Sequence, residues 1–245
     1  MNDIKLYNDD CYNVLYNGKL MFDLPENSVD CVIVDLPYFK IVKNDWDNQW
    51  KSLTEYLNWV SDMFSLTNLT CLKDNANIIV FTGRQYNRHV CQILDKFFEE
   101  NRIIIWARKR AFNATRGKAL ASGYEPICYY SKGLNPIFNN IKIKSETTRK
   151  EYTEGILKDG ITLSDVWNDI AALPHNSKEK VNHPTQKPLM LMERIVSLFT
   201  NEGDTVLDFC MGSGTTGVAC KKLKRKFIGI ENNKEYFEIA KSRLL

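Results

Sequence analysis

The sequence holds no CxxC pair, only three histidines, and no apolar run near the ~18 residues that a membrane-spanning helix needs. Its seven cysteines (Cys11, Cys31, Cys71, Cys91, Cys128, Cys210 and Cys220) are odd in number and scattered. Several sit inside apolar runs, where a thiol behaves as a small hydrophobe. A disulfide framework and a zinc site are therefore not expected, and no metal is assigned. The opening residues, MNDIKLYNDD, are too polar for a signal peptide, so a cytoplasmic location with no membrane partner is expected. Net charge is scarce too. The 33 Lys and Arg against 30 Asp and Glu leave +3, which neither requires nor excludes nucleic acid, because clustering matters more than the sum.

What is present suits a globular chain: 44% hydrophobic and 26% charged residues over a length of 245, enough for a substantial core. Short β-branched runs predict strands at IKLY (4–7), CVIVD (31–35), NIIVFT (77–82), IIIWA (103–107), PICYY (126–130), TVLDF (205–209) and KFIGI (226–230). Helical patterns fall near 52–72, 86–100, 186–200, 213–225 and 232–244. This rhythm predicts an α/β domain with a mostly parallel sheet. Residues 108–180 break it. RKRAFNATRGKALASG joins two strand candidates without a long apolar helix, so that pair is expected to be antiparallel. The polar stretch 132–180 reads as a small recognition insert between segments 1–131 and 181–245.

Residues 203–231 carry a glycine loop: a strand (TVLDF), the turn GSGTTG, a helix, and a second strand ending at Glu231. Gly212, Gly214 and Gly217 satisfy G-x-G-x-x-G. Glycines let the backbone approach a nucleoside cofactor, and an acid at the next strand end binds ribose hydroxyls. NAD, FAD and S-adenosylmethionine (SAM) all fit that much. Two details favour SAM. Asp208 precedes the glycines, where a carboxylate attracts an ammonium group and repels a pyrophosphate. Glu231 follows Gly217 by only 14 residues, a short crossover for a nicotinamide site.

The chain ends soon after Glu231, so a third strand to flank the cofactor's base must come from elsewhere. The N-terminal IKLYND, followed by Asp10 and Cys11, can supply it, which makes the sheet circularly permuted. CVIVDLPYF then lies beside the glycine loop, with Asp35, Leu36, Pro37 and Tyr38 at the cofactor's reactive end.

With DLPY at 35–38, HPTQKP at 183–188 and DFCMGSGTTG at 208–217, in that order, the chain resembles the permuted (beta) class of amino-group DNA methyltransferases. The resemblance implies a Rossmann-like SAM-dependent fold, with 1–131 as the catalytic half, 132–180 as the variable target-recognition region, and 181–245 as the SAM-binding half. It implies transfer of a methyl group to the exocyclic amine of a flipped-out base, with Asp35 and the Leu36 carbonyl accepting the amine's two N–H groups. Tyr38 is expected to stack on the base; Phe39 either closes the other side or belongs to the core. The resemblance places Asp10 and Cys11 near the adenine of SAM and Glu231 on its ribose. His183, Thr185 and Lys187 go to the methionine end, and Asp208, Phe209, Cys210, Gly212, Ser213, Gly214 and Thr215 to the glycine loop. Asp35 borders the cofactor as well.

Two departures stand out. Leu36 replaces the family's usual Pro, which a backbone role tolerates, and Phe209-Cys210 replaces the usual Pro-Phe. Asp at the head of the motif resembles adenine-N(6) enzymes, where cytosine-N(4) enzymes more often have Ser. The expected partner is double-stranded DNA, tracked by Arg108, Lys109, Arg110 and Arg116, with 39–50 as a lid. A cognate restriction endonuclease and a second copy of the chain are further partners that the resemblance suggests. A nicotinamide oxidoreductase would leave DLPYF and HPTQKP unexplained; a non-catalytic DNA-binding module and an RNA methyltransferase are the remaining alternatives.

Overall fold

The computed structural model describes residues 4–16, 25–112, 120–143, 161–174 and 176–245. In chain order its elements are β1 (Ile4–Tyr7), α1 (Cys11–Tyr16), β2 (Val29–Asp35), α2 (Asp45–Asn48), α3 (Leu53–Thr70), β3 (Leu72–Phe81), α4 (Asn87–Leu94), β4 (Glu99–Phe112), β5 (Ser122–Ser131), β6 (Lys142–Ile143), β7 (Ile161–Thr162), β8 (Val166–Trp167), α5 (Leu189–Phe199), β9 (Thr205–Asp208), α6 (Thr215–Lys222), β10 (Lys226–Ile230) and α7 (Lys234–Leu244).

The run CVIV is apolar throughout because β2 is covered on both faces. Val32 and Val34 join one core cluster with Tyr56, Val60 and Phe64 of α3, while Cys31 and Ile33 join the other with Ile195 and Phe199 of α5. Eight strands form one sheet in the order β1-β10-β9-β2-β3-β5-β4-β8, and β6 and β7 form a separate pair. From β1 to β3 every pairing is parallel. The N-terminal strand lies against β10, Tyr7 opposite Ile230, as the permuted arrangement requires. From β9 the chain winds outward to β10, and from β2 it winds the opposite way to β3. The point between β9 and β2 is therefore the switch point at which doubly wound sheets hold ligands, outside the strands' carboxyl ends.

β5 runs antiparallel between β3 and β4, so the predicted antiparallel pair is present. One expectation needs correction. The helix predicted over 86–100 ends at Leu94, because pairing from Glu99 opposite Ser131 to Phe112 opposite Ser122 draws polar flanking residues into β4. The polar stretch 132–180 also supplies an edge strand, with Trp167 opposite Trp106 and the Trp106 indole N–H donating to the Ile170 carbonyl (2.8 Å).

Gly217 of α6 faces Phe227 of β10 and Leu244 of α7. A Cβ there would lie 2.6 Å from the Phe227 ring and 2.8 Å from Leu244. Gly217→Ala is expected to lower stability by about 1–3 kcal/mol despite alanine's better helix propensity. A fall in the urea midpoint at unchanged slope is the readout; an unchanged midpoint would show that Phe227 and Leu244 yield without cost.

Candidate active site

Four neighbouring parallel strands each end in or beside a carboxylate: Asp10 after β1, Glu231 after β10, Asp208 closing β9, and Asp35 closing β2. All four line one cleft. Leu36, Pro37, Tyr38, Trp46, His183, Thr185, Lys187, Gly212, Ser213 and Thr215 also line it. The strand register alone therefore gathers three segments of sequence that lie far apart in the chain.

At one end of the cleft a buried lysine holds the DLPY acid. Lys187 Nζ donates to Asp35 Oδ2 (2.5 Å) and to the Tyr38 hydroxyl (2.6 Å), and that hydroxyl donates to Asp35 Oδ1 (3.2 Å). The ammonium also lies 5.0 Å from the Phe81 ring centre and 5.3 Å from that of Tyr38. Burial alone would depress Lys187, but Asp35, Tyr38 and Glu125 together outweigh it and hold the ammonium above its usual range. Burial raises the Tyr38 hydroxyl well above its usual range, so it stays protonated and can donate.

The loop after Tyr38 turns abruptly, with Phe39 and Lys40 both in the left-handed region (φ 53° and 59°). Non-glycine residues hold that region only when their surroundings enforce it. Here the buried Asp47 carboxylate accepts from the backbone N–H groups of Ile41 (2.8 Å) and Val42 (2.7 Å), and the Tyr56 hydroxyl donates to the Pro37 carbonyl (2.9 Å).

At the other end the glycine loop is held from several sides. Glu231 accepts from the N–H groups of Gly212 (2.9 Å) and Asn233 (2.8 Å). Gly212 is in the left-handed region (φ 51°), and a Cβ on it would meet His183 Nε2 at 2.9 Å. The imidazole packs edge-on against Tyr236 (4.5 Å) and parallel to Trp46 (6.5 Å). Burial, with the charges of Lys187, Arg243 and Lys180, pulls His183 down to about 4, so it is neutral near pH 7. Both Trp46 Nε1 and His183 Nδ1 are buried without a hydrogen-bond partner.

The sequence itself matches the DNA methylase family model over residues 29–242. The type II methyltransferase M2.DpnII of Streptococcus pneumoniae is 50% identical over 249 residues, covering 92% of this chain and 86% of that protein. The chain belongs to the DNA methylase family. Among solved structures, the M1.HpyAVI–SAM complex superposes with a TM-score of 0.69 at 28% identity, covering 98% of each chain. The cytosine-N4-specific PvuII DNA methyltransferase shares the fold with a TM-score of 0.74, at 19% identity over 100% of this chain and 89% of that one.

Within this methylase, several residues lie elsewhere than the sequence suggests. Phe39 is a core residue: its ring stacks on Tyr56 (5.4 Å) and meets Tyr86 edge-on (5.6 Å). Phe209 borders the cleft, but its ring is buried against Phe64 (5.7 Å), so it does not stand in for the phenylalanine that Cys210 replaces. The neighbouring Cys11 thiol, with burial, raises the Cys210 thiol well above the usual thiol range. Gly214 is spent on packing, since a Cβ there would lie 2.9 Å from Ala240 in α7. Arg108 does not reach outward, because its guanidinium binds Glu125 (2.8 Å) and both oxygens of Ser122 (3.0 Å each). Arg116 lies outside the described residues, as do the side chains of Lys109 and Arg110. Lys187 lines the same cleft and is bound there to Asp35.

Four contributors carry no motif: Trp46, Glu125, Tyr236 and Arg243. Arg243, from α7, donates to the Ser213 carbonyl (2.5 Å) and hydroxyl (3.3 Å) and to the Thr215 hydroxyl (3.2 Å), bracing the glycine loop.

Asp208 accepts from the Thr216 hydroxyl (2.7 Å) and the Cys210 N–H (3.1 Å), yet burial, reinforced by the charges of Asp35 and Glu231, pushes its carboxyl up to about 7. An unfolded aspartate ionises near 3.9 (roughly), so between those values the folded chain binds the extra proton. Stability tied to protonated Asp208 is thus present in acid and lost as pH rises toward 7. Raising the pH from about 5 to about 8 should lower the wild-type melting temperature relative to Asp208→Asn. Parallel curves for the two proteins would contradict this.

Proposed function

We propose that this methylase transfers the methyl group of SAM to the exocyclic N(6) amine of an adenine turned out of a DNA duplex. One observation carries the reading. Asp35 stands at the end of β2 in the same cleft as the glycine loop, fixed from both sides by Lys187 and Tyr38.

The chemistry of the cleft suits SAM. Glu231 and Asp35 carry the cleft's negative charge and Asp208 can add to it by ionising near neutrality, which favours a ligand carrying a sulfonium and an ammonium, and the unpartnered Trp46 and His183 nitrogens are polar groups ready for a ligand. In this reading Asp10 and Cys11 border the adenine, Glu231 the ribose, and Asp208, Gly212, Ser213, Thr215, His183 and Thr185 the methionine portion. When bound, SAM supplies an electrophilic methyl group on a positively charged sulfur.

An exocyclic amine is a weak nucleophile because its lone pair is delocalised into the ring. Hydrogen bonds accepted from its two N–H groups, by the Asp35 carboxylate and the Leu36 carbonyl, hold the nitrogen with its lone pair aimed at the methyl carbon. With SAM bound, the oriented lone pair would take up the methyl group, and the proton that the nitrogen loses would pass to solvent. Leu36 serves where proline is usual because the role belongs to its carbonyl, and Pro37 still favours an extended residue 36. The duplex hides the amine, so the base is extruded at a cost of a few kcal/mol. Stacking on the Tyr38 face offsets roughly 1–3 kcal/mol of that. The 132–180 segment and the β4–β5 hairpin, with Lys109, Arg110 and Arg116, provide target recognition. The type II relatives favour a setting beside a restriction endonuclease.

Adenine is read from the acid at position 35 and not from the fold, which a cytosine-N4-specific enzyme shares. The deciding experiment is product identity: unmethylated DNA, SAM and enzyme, followed by nucleoside digestion and mass spectrometry. N(6)-methyladenine is expected; N(4)-methylcytosine would overturn the base, and no methylated base would overturn the reaction.

Two substitutions probe the roles. Asp35→Ala should reduce transfer by at least about 100-fold while SAM still binds; undiminished turnover would remove Asp35 from the chemistry. Tyr38→Phe keeps the stacking face and loses the hydroxyl tether, so it should be milder than Tyr38→Ala. Equal losses would contradict stacking.

A further inference from the structure

Glu125 belongs to none of the three motifs, yet it is the second carboxylate on Lys187. It lies on β5, and its Oε2 is 3.5 Å from Lys187 Nζ. That oxygen is buried and makes no hydrogen bond. Its other oxygen accepts from Arg108 Nη1 (2.8 Å), and Arg108 is fixed in turn by Ser122. Arg108, Glu125, Lys187 and Asp35 thus form a row of alternating charge, with side-chain exposures of 14, 17, 6 and 20%.

In this arrangement both Asp35 oxygens are engaged, Oδ2 by Lys187 and Oδ1 by Tyr38. Each oxygen keeps a second lone pair, but an amine N–H arriving at Oδ2 competes there with an ammonium 2.5 Å away. Lys187 can release Asp35 only if its ammonium keeps an anionic partner, because an unpaired buried cation is strongly disfavoured. Glu125 Oε2 meets that need. It is anionic, unbonded, a short swing away, and anchored from behind by Arg108.

We propose that Glu125 is a positioning residue for methyl transfer: it receives the Lys187 ammonium as Asp35 turns to the target amine. The lysine moves between two carboxylates and Asp35 gains a free oxygen without stranding a charge. The inference rests on the reading of Asp35 as the acceptor for that amine. It differs from a purely structural role for Glu125 as the counterion of Arg108, which would be indifferent to Lys187.

The test is a double-substitution cycle with Glu125→Gln and Lys187→Met, read by SAM affinity and by the single-turnover rate of methyl transfer to unmethylated DNA. Glu125→Gln should leave the SAM Kd within about 3-fold and slow single turnover by about 30- to 100-fold, comparable to losing one oriented polar contact. In the Lys187→Met background the same change should slow it by no more than about 3-fold, since the two act as a unit. Glu125→Asp, which keeps the charge with a shorter reach, should recover part of the rate and serves where the glutamine variant folds poorly. A wild-type rate in Glu125→Gln, or equal losses in both backgrounds, would overturn the inference. A wild-type enzyme that transfers no methyl to DNA, or an undiminished Asp35→Asn, would overturn the underlying reading and the inference with it. Transfer lost in Asp35→Asn but intact in Glu125→Gln would overturn the inference alone.

Discussion

The parallel pairing of β2 with β9, Cys31 opposite Val206 and Val32 opposite Leu207, is the constraint on which the site depends. It joins a strand near the start of the chain to one near the end, and both stop at an aspartate. Because side chains alternate across a strand, a slip of one residue would turn every side chain of β2 to the other face. Burial on both faces does not prevent such a slip by polarity. Shape and anchoring do, and Asp30 supplies an anchor: its carboxylate accepts from the Thr205 N–H (2.9 Å) at the start of β9 and pairs with Lys73 (2.5 Å) at the start of β3. An acid at the entry of β2 thus secures the register that places an acid at its exit.

Bringing Asp35, Asp208 and Glu231 to one cleft is electrostatically unfavourable, and each finds relief by a different route. Asp35 gains a cation, Glu231 gains two backbone N–H donors, and Asp208 takes a proton near neutrality. A buried ion pair is weak evidence of stability, since desolvation offsets much of its attraction. The worth of Lys187 lies in orientation: an ammonium and a phenol hold the carboxylate in one rotamer until another partner takes the ammonium's place. Asp208, lacking any such cation, is the acid most responsive to a positively charged ligand, which would favour its ionised form.

Much of this was legible from sequence because it follows from local chemistry. The permuted order was announced by the order of the motifs, DLPY before HPTQKP before the glycine loop, and β1 lies against β10 as that order needs. The glycine loop and DLPY announced themselves by residue type. What stayed hidden depends on tertiary register. Whether Phe39 or Phe209 faces the cleft or the core turns on a single dihedral angle or on strand alternation, and both rings went to the core. Arg108 sat in a basic run that resembled a phosphate track, yet the β4–β5 register sets it beside Glu125, an acid invisible to motif reading.

The pairing of Lys187 with Asp35 is the most informative of these. HPTQKP sits between a polar segment and a helix, and nothing local says where its lysine points. Its position is decided by two nearby anchors and one distant pair: Gln186 pinned by the Val181 N–H (2.8 Å) and the Glu179 carbonyl (3.0 Å), Leu189 capped by the Glu179 carboxylate (2.7 Å), and two acids waiting on β2 and β5. A lysine in a dry interior goes where the negative charge is densest, because only there does pairing outweigh the loss of water. Once β2 and β5 are placed on either side of β3, that point lies between Asp35 and Glu125, and the motif's last cation is committed to the acceptor acid before any cofactor arrives.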